Sequence, residues 1–212
     1  MRLIVAPNPL TKVTVKVTQM SPEYMIVAYA TVPQNCPTTN GNFVQAWQDS
    51  QVEWANPTGG WRGGVPGNTM QGDMPLQFLY QNKDYIVGYS VGQNVQNIVA
   101  TAYLPGGDIT QQEQFSTTIS VKPGQDTLLV DYLTPEGSKP NLYQHRVALL
   151  DEDDNPFLDM PLTSAPIPTN QRAGSVPLMY SLATGRSYTV AYYAGKGQNC
   201  VACTFTFVAA GD

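Results

Sequence analysis

The chain has 212 residues, enough for one large domain or two small ones, and only 13% of them are charged, against about 25% in an average soluble protein. Its formal net charge is -5 with a pI of about 4.7, and no run of Lys or Arg supplies the clustered positive charge that phosphate backbones demand. Binding to nucleic acid or to anionic membrane surfaces is therefore disfavoured, and no apolar run approaches the roughly 18 to 20 residues of a membrane span.

Met1-Arg2-Leu3-Ile4-Val5-Ala6-Pro7 breaks too early for the apolar core of a signal peptide. Three cysteines, Cys36, Cys200 and Cys203, are an odd number and too few for a disulfide scaffold. A soluble protein is expected, with the cytoplasm favoured over secretion.

In chain order, residues 11–17 alternate polar and apolar and read as a strand with one buried face. Residues 24–30 are apolar throughout and rich in strand formers, which suits a more central strand. Turn residues fill 33–42, a strand or a bent pair spans 43–55, and Asn56-Pro57 ends it. The glycine-rich stretch 58–68 favours neither helix nor ladder and reads as a long loop carrying Trp61 and Arg62. Strands are expected at 75–80, 85–91 and 97–104, and residues 105–116 follow as a connection.

The remainder repeats this plan. Tyr85-Ile86-Val87-Gly88-Tyr89 returns as Tyr188-Thr189-Val190-Ala191-Tyr192, 103 residues later (188 − 85). Gln96-Asn97-Ile98-Val99-Ala100-Thr101 matches Gln198-Asn199-Cys200-Val201-Ala202-Cys203, and Asn42-Phe43-Val44-Gln45 matches Asn141-Leu142-Tyr143-Gln144 at an offset of 99 (141 − 42). Such a period is far longer than a solenoid repeat and about the length of one small β domain.

About seven short strands per half, turn signals every eight to twelve residues and no helical period indicate an all-β chain. The expected fold is two tandem immunoglobulin-like antiparallel β-sandwich domains arising from an internal duplication, with residues 1–107 as the first, 108–116 as linker and 117–212 as the second. Tyr85, Val87 and Tyr89, like Tyr188, Val190 and Tyr192, share one strand face, expected to be the core side, while Gly88 and Ala191 keep the other face small.

The catalytic inventory is thin. The single histidine, His145, lies in an expected strand, aligns with Ala46 and has no nucleophile motif beside it, so it reads as a surface or sheet-face residue. Cys200-Val201-Ala202-Cys203 has redox or zinc spacing, but three positions apart along a strand face opposite sides. Asp151, Asp153, Asn155 and Asp159 echo part of a calcium loop, yet Pro156 stands at the glycine position and Leu162 at that of the bidentate Glu. Calcium through these four is the one cofactor reading weighed; otherwise no cofactor is expected.

The loops carry binding chemistry instead. Loops at one end of a sandwich vary while the scaffold holds them, and residues 54–68 hold two of the three tryptophans. Indole covers the C–H face of a sugar while amides take its hydroxyls. The expectation is a non-enzymatic, lectin-like protein binding a glycan or glycoconjugate through Trp54, Asn56, Trp61, Arg62 and Asn68. The alternative is a structural, self-assembling protein or homo-oligomer without a small ligand, because low-charge edge strands can pair with neighbours. A metal-dependent enzyme built on the acidic cluster is third.

Overall fold

Residues 24–30 alternate as a half-buried strand should: Met25, Val27 and Tyr29 are buried and their neighbours point outward. In the computed structural model, which describes residues 2–56, 58–124 and 126–211, they form β3 (Tyr24–Ala30). It lies between β2 (Thr14–Met20) and β6 (Gln71–Gln77) in a three-stranded sheet. Facing it is a five-stranded sheet in the order β5 (Trp61–Gly64), β4 (Phe43–Trp47), β7 (Tyr85–Ser90), β8 (Ile98–Leu104) and β9 (Glu113–Ser116).

The second half has the same arrangement. β10 (Thr118–Pro123), β11 (Thr127–Leu133) and β14 (Ala173–Met179) make the smaller sheet. The larger runs β13 (Thr163–Pro166), β12 (Arg146–Asp151), β15 (Ser187–Tyr193), β16 (Val201–Ala210) and then β1 (Arg2–Lys12). Every pairing is antiparallel, so the fold is all-β and sandwich-like.

The edges of the two larger sheets are exchanged. β1 leads directly into β2 of the first half, yet it pairs with β16 of the second, from Arg2 opposite Ala210 to Lys12 opposite Cys203. β9 leads into β10 of the second half, yet it pairs with β8 of the first. Val13 donates its N–H to the Ala202 carbonyl at 3.2 Å, and Thr117 does the same to Val99 at 2.7 Å, where each strand crosses over. Residues 11–17, expected as one strand, therefore divide between two sheets, and the stretch 108–116 ends in a strand. Of the expected linker 108–116, residues 113–116 belong to the first half's larger sheet, and β10 of the second half begins at Thr118. Both differences have one cause: an edge strand pairs with the ladder it reaches, and sequence neighbours do not reveal which that is.

Register also amends the alignment of the halves. Phe43 pairs with Ser90 and Arg146 with Tyr193, so Phe43 corresponds to Arg146 at an offset of 103 (146 − 43), not 99. His145 thus stands where the first half has Asn42, not Ala46. Val91 N–H donates to the Asn97 carbonyl and Ala194 N–H to that of Cys200, which places Cys200 opposite Asn97 rather than Ile98. A register shift between Tyr192 and Tyr193, matched between Tyr89 and Ser90, breaks the alternation of β16 and β8. Consequently Cys200 and Cys203 both pack into the main core instead of facing opposite sides.

The shared tyrosines face that core, as expected. Tyr85, Tyr89, Tyr188 and Tyr192 are all buried, and Tyr29–Tyr89 and Tyr132–Tyr192 form equivalent tilted pairs at 5.6 and 6.0 Å between ring centres. On the opposite face of β7, fully buried Trp47 closes over Gly88. A Cβ on Gly88 would lie 3.4 Å from the indole and 3.0 Å from Ile98; the second half carries Ala191 there, with Leu150 in the place of Trp47. Gly88→Val is expected to cost about 1–3 kcal/mol through overpacking, seen as a lowered thermal midpoint; an unchanged midpoint would mean that Trp47 moves aside freely.

Candidate ligand groove between the two halves

The segment after β4 turns back on itself, Trp54 N–H donating to the Val52 carbonyl at 3.0 Å. Trp54 is half-buried and reaches across to the other half. Its indole Nε1–H donates to the Glu136 carbonyl at 2.9 Å, and its ring stacks on Tyr143 at 5.8 Å and 30°. Gly137 permits this approach: its φ is +75°, and a Cβ there would stand 2.7 Å from the indole nitrogen.

Tyr143 sits in a tight turn before β12, in which Tyr143 N–H donates to the Lys139 carbonyl and His145 N–H to that of Pro140. Gln144, with φ of 58°, takes the left-handed conformation that Gly41 takes in the first half. Trp54, Tyr143, Asn56, Gln96, Leu142 and Lys139 line a cavity of about 620 Å³. Gln96, Leu142 and Tyr143 also line a larger cleft of about 730 Å³, walled by residues 93–97 of the first half and 195–200 of the second. Across this cleft Asn97 Nδ2 donates to the Ala194 carbonyl at 2.6 Å, and Asn199 Nδ2 to that of Asn40 at 3.0 Å. A third cavity of about 370 Å³, lined by His145, Arg146, Ser164 and others, shares Gln144 and Lys196 with the cleft.

His145 is buried rather than on the surface. Its Nδ1 lies 2.9 Å from the Tyr192 hydroxyl and its Nε2 3.4 Å from the Gln96 carbonyl. Burial lowers its pKa to about 4, so the ring is neutral at pH 7. Burial likewise raises the Cys200 thiol to about 11 and pushes Cys203 up as well, which leaves neither a ready nucleophile.

Of the residues expected at a binding site, the structure brings Trp54 and Asn56 to one cavity and places three elsewhere. Trp61 is half-buried in β5, edge-on to Phe78 at 5.8 Å. Arg62 lies over the Phe43 ring at 3.5 Å and donates to the Gln93 carbonyl at 2.8 Å, so it supports one wall of the cleft from below. Asn68 ties its loop to Thr39 through both side-chain atoms, as Asn170 is tied to the Leu142 N–H in the second half.

The acidic cluster caps a turn. Asp151 is ion-paired with Arg186, Asp154 accepts from the Asp151 N–H at 3.0 Å, Asn155 from Phe157 at 2.9 Å, and Asp159 from Asn155 at 2.6 Å. No group of three or more His, Cys, Asp or Glu side chains positioned for a metal occurs among the described residues.

Tyr143, Gln96, Lys139, Arg146 and Lys196 escaped the sequence reading. The one available signal was Leu142-Tyr143, an apolar pair inside a run of turn residues; that it meets Trp54, 89 positions earlier (143 − 54), is a tertiary fact.

No protein-family model matches the chain, and no curated protein does. Among solved structures, the chain is similar to a DUF3823 family protein from Bacteroides ovatus, with 8% identity, 94% of this chain and 96% of that one covered, and a TM-score of 0.30. No helix among the described residues is long and apolar enough to cross a membrane.

Proposed function

We propose that the protein is a non-enzymatic, lectin-like module that binds a saccharide in the groove between its two halves. The observation that carries this reading is the Trp54–Tyr143 stack, two half-buried rings from different halves that line one cavity with Asn56 and Gln96 beside them. Aromatic faces match the C–H face of a pyranose, and side-chain amides offer both a donor and an acceptor to its hydroxyls. The neutral, fully bonded His145 and the raised thiols supply no general base or nucleophile, which favours binding over turnover.

A glycan array probed with the parent protein and with Trp54→Ala and Tyr143→Ala tests this. Saturable hits are expected that weaken at least about ten-fold in each variant, the scale of losing one buried aromatic contact. Trp61→Ala should leave the hits in place, provided its melting curve shows it folded. A blank array for the parent overturns the reading.

Self-assembly remains the second reading, favoured by Leu158 and Met160, which are 76% and 87% exposed on one loop. Sedimentation at rising concentration would reveal it as oligomers that disappear in a Leu158→Ser, Met160→Ser variant.

A further inference from the structure

The chain holds sixteen Asp and Glu against eleven Lys and Arg, so an average stretch of its surface is acidic. The groove departs from this. Lys139, Arg146 and Lys196 line its three adjoining cavities, and none of them takes part in an ion pair among the described residues. Among the described residues, no Asp or Glu lines either the 730 Å³ cleft or the 370 Å³ cavity at its end. Among the described residues, the carboxylate that lines the 620 Å³ cavity is Glu53, which accepts from the Asn56 amide at 3.0 Å.

Lysines on a surface are ordinarily just solvated, so the weight falls on Arg146. It is partly buried, with its guanidinium 3.9 Å above the centre of the Tyr193 ring, and its Nη1 is buried with no hydrogen-bond partner among the described residues. A desolvated cation is ordinarily matched by an anion or a full set of acceptors; among the described residues the Tyr193 ring face is the contact that Arg146 makes, and Lys196 lines the same cavity. The position is particular to this half, since the first half has Phe43 there.

We propose that the groove selects an acidic saccharide: a sugar ring rests at the Trp54–Tyr143 end, and a carboxylate or sulfate ester on the same oligosaccharide is held at the Arg146–Lys196 end. The inference rests on the saccharide reading above and adds the charge of the ligand. Guanidinium and ammonium groups pair with either anion through charge-assisted hydrogen bonds. Neutral His145 in the same cavity adds no charge at pH 7.

Calorimetric titration of the full chain with three probes tests it: a galacturonate hexamer, the same hexamer fully methyl-esterified, and a sulfated hexasaccharide. The uronate or the sulfated probe is expected to bind at least about ten-fold more tightly than the ester, and its advantage should shrink with added salt. Arg146→Gln and the exposed-site Lys196→Gln should each remove most of that advantage. Whichever acidic probe binds more tightly identifies the anion. Equal binding of acid and ester, lost in Trp54→Ala, overturns this inference and spares the saccharide reading. Failure of all three probes together with a blank array overturns both. An acid preference indifferent to Lys196→Gln and to a folded Arg146→Gln puts the anion elsewhere and also overturns it.

Discussion

Deletion of residues 2–12 is expected to lower stability by about 3–5 kcal/mol, a fall of about 10 °C in the thermal midpoint for a chain of this size. β1 is largely exposed on its outer side, yet it completes the ladder along β16 and sets half-buried Leu3 and Leu10 against the core. Without it, the outer edge of residues 203–210 presents unpaired N–H and C=O groups beside Phe205 and Phe207, both now buried. Loss of two half-buried leucines accounts for about 2 kcal/mol, and the unpaired ladder for the rest. An open edge is also a template for association, so light scattering should rise with the lowered midpoint. A synthetic peptide of residues 2–12 added in trans should reverse both effects. A midpoint unchanged by the deletion would show that β1 merely decorates the sheet.

Acid stability depends on His145. Its pKa falls from an ordinary 6.5 to about 4 because burial disfavours the charged ring. The unfolded chain therefore takes up this proton first, so the contribution is complete above pH 6.5 and disappears as pH drops from 6.5 to about 4. At about 1.36 kcal/mol per unit, the loss is about 3 kcal/mol. His145→Asn copies Asn42 of the first half, whose Oδ1 accepts from the Tyr89 hydroxyl at 3.0 Å. The variant keeps a partner for the Tyr192 hydroxyl and has nothing to titrate. Urea unfolding at pH 7.5 and 4.5 should show a drop about 2.5 kcal/mol smaller in the variant, since pH 4.5 stops short of the end of the window; carboxylates contribute equally to both proteins and cancel. Parallel drops would mean that His145 is protonated as readily in the folded as in the unfolded chain.

Trp54 and Asn56 were expected to be binding residues because a tryptophan stands there among amides and glycines, and the structure sets both at one cavity. Trp61, in a still more glycine-rich setting, read the same way but lies edge-on to Phe78 within the first core, because Trp61–Gly64 form an edge strand beside β4. A glycine-rich composition signals backbone freedom, and a short strand can use that freedom as well as a loop can.

What the sequence by itself determined is the local part of this fold. Period-two alternation at 85–89 and 188–192 identified two buried tyrosine stripes, because in a strand the face of each residue follows from its neighbours alone. Turn chemistry likewise located the loop at 33–42, whereas the loop expected over 58–68 is interrupted by the edge strand Trp61–Gly64. Only the tertiary structure decided which strands meet: that Thr11 bonds Thr204, 193 residues away, that β1 and β9 complete each other's halves, and that Trp54 rests on Tyr143. Closing a longer loop costs little more than closing a shorter one, so sequence separation barely constrains pairing. Register and partner are chosen instead by which edges and rings the packed halves bring within reach, and that choice is what builds the groove.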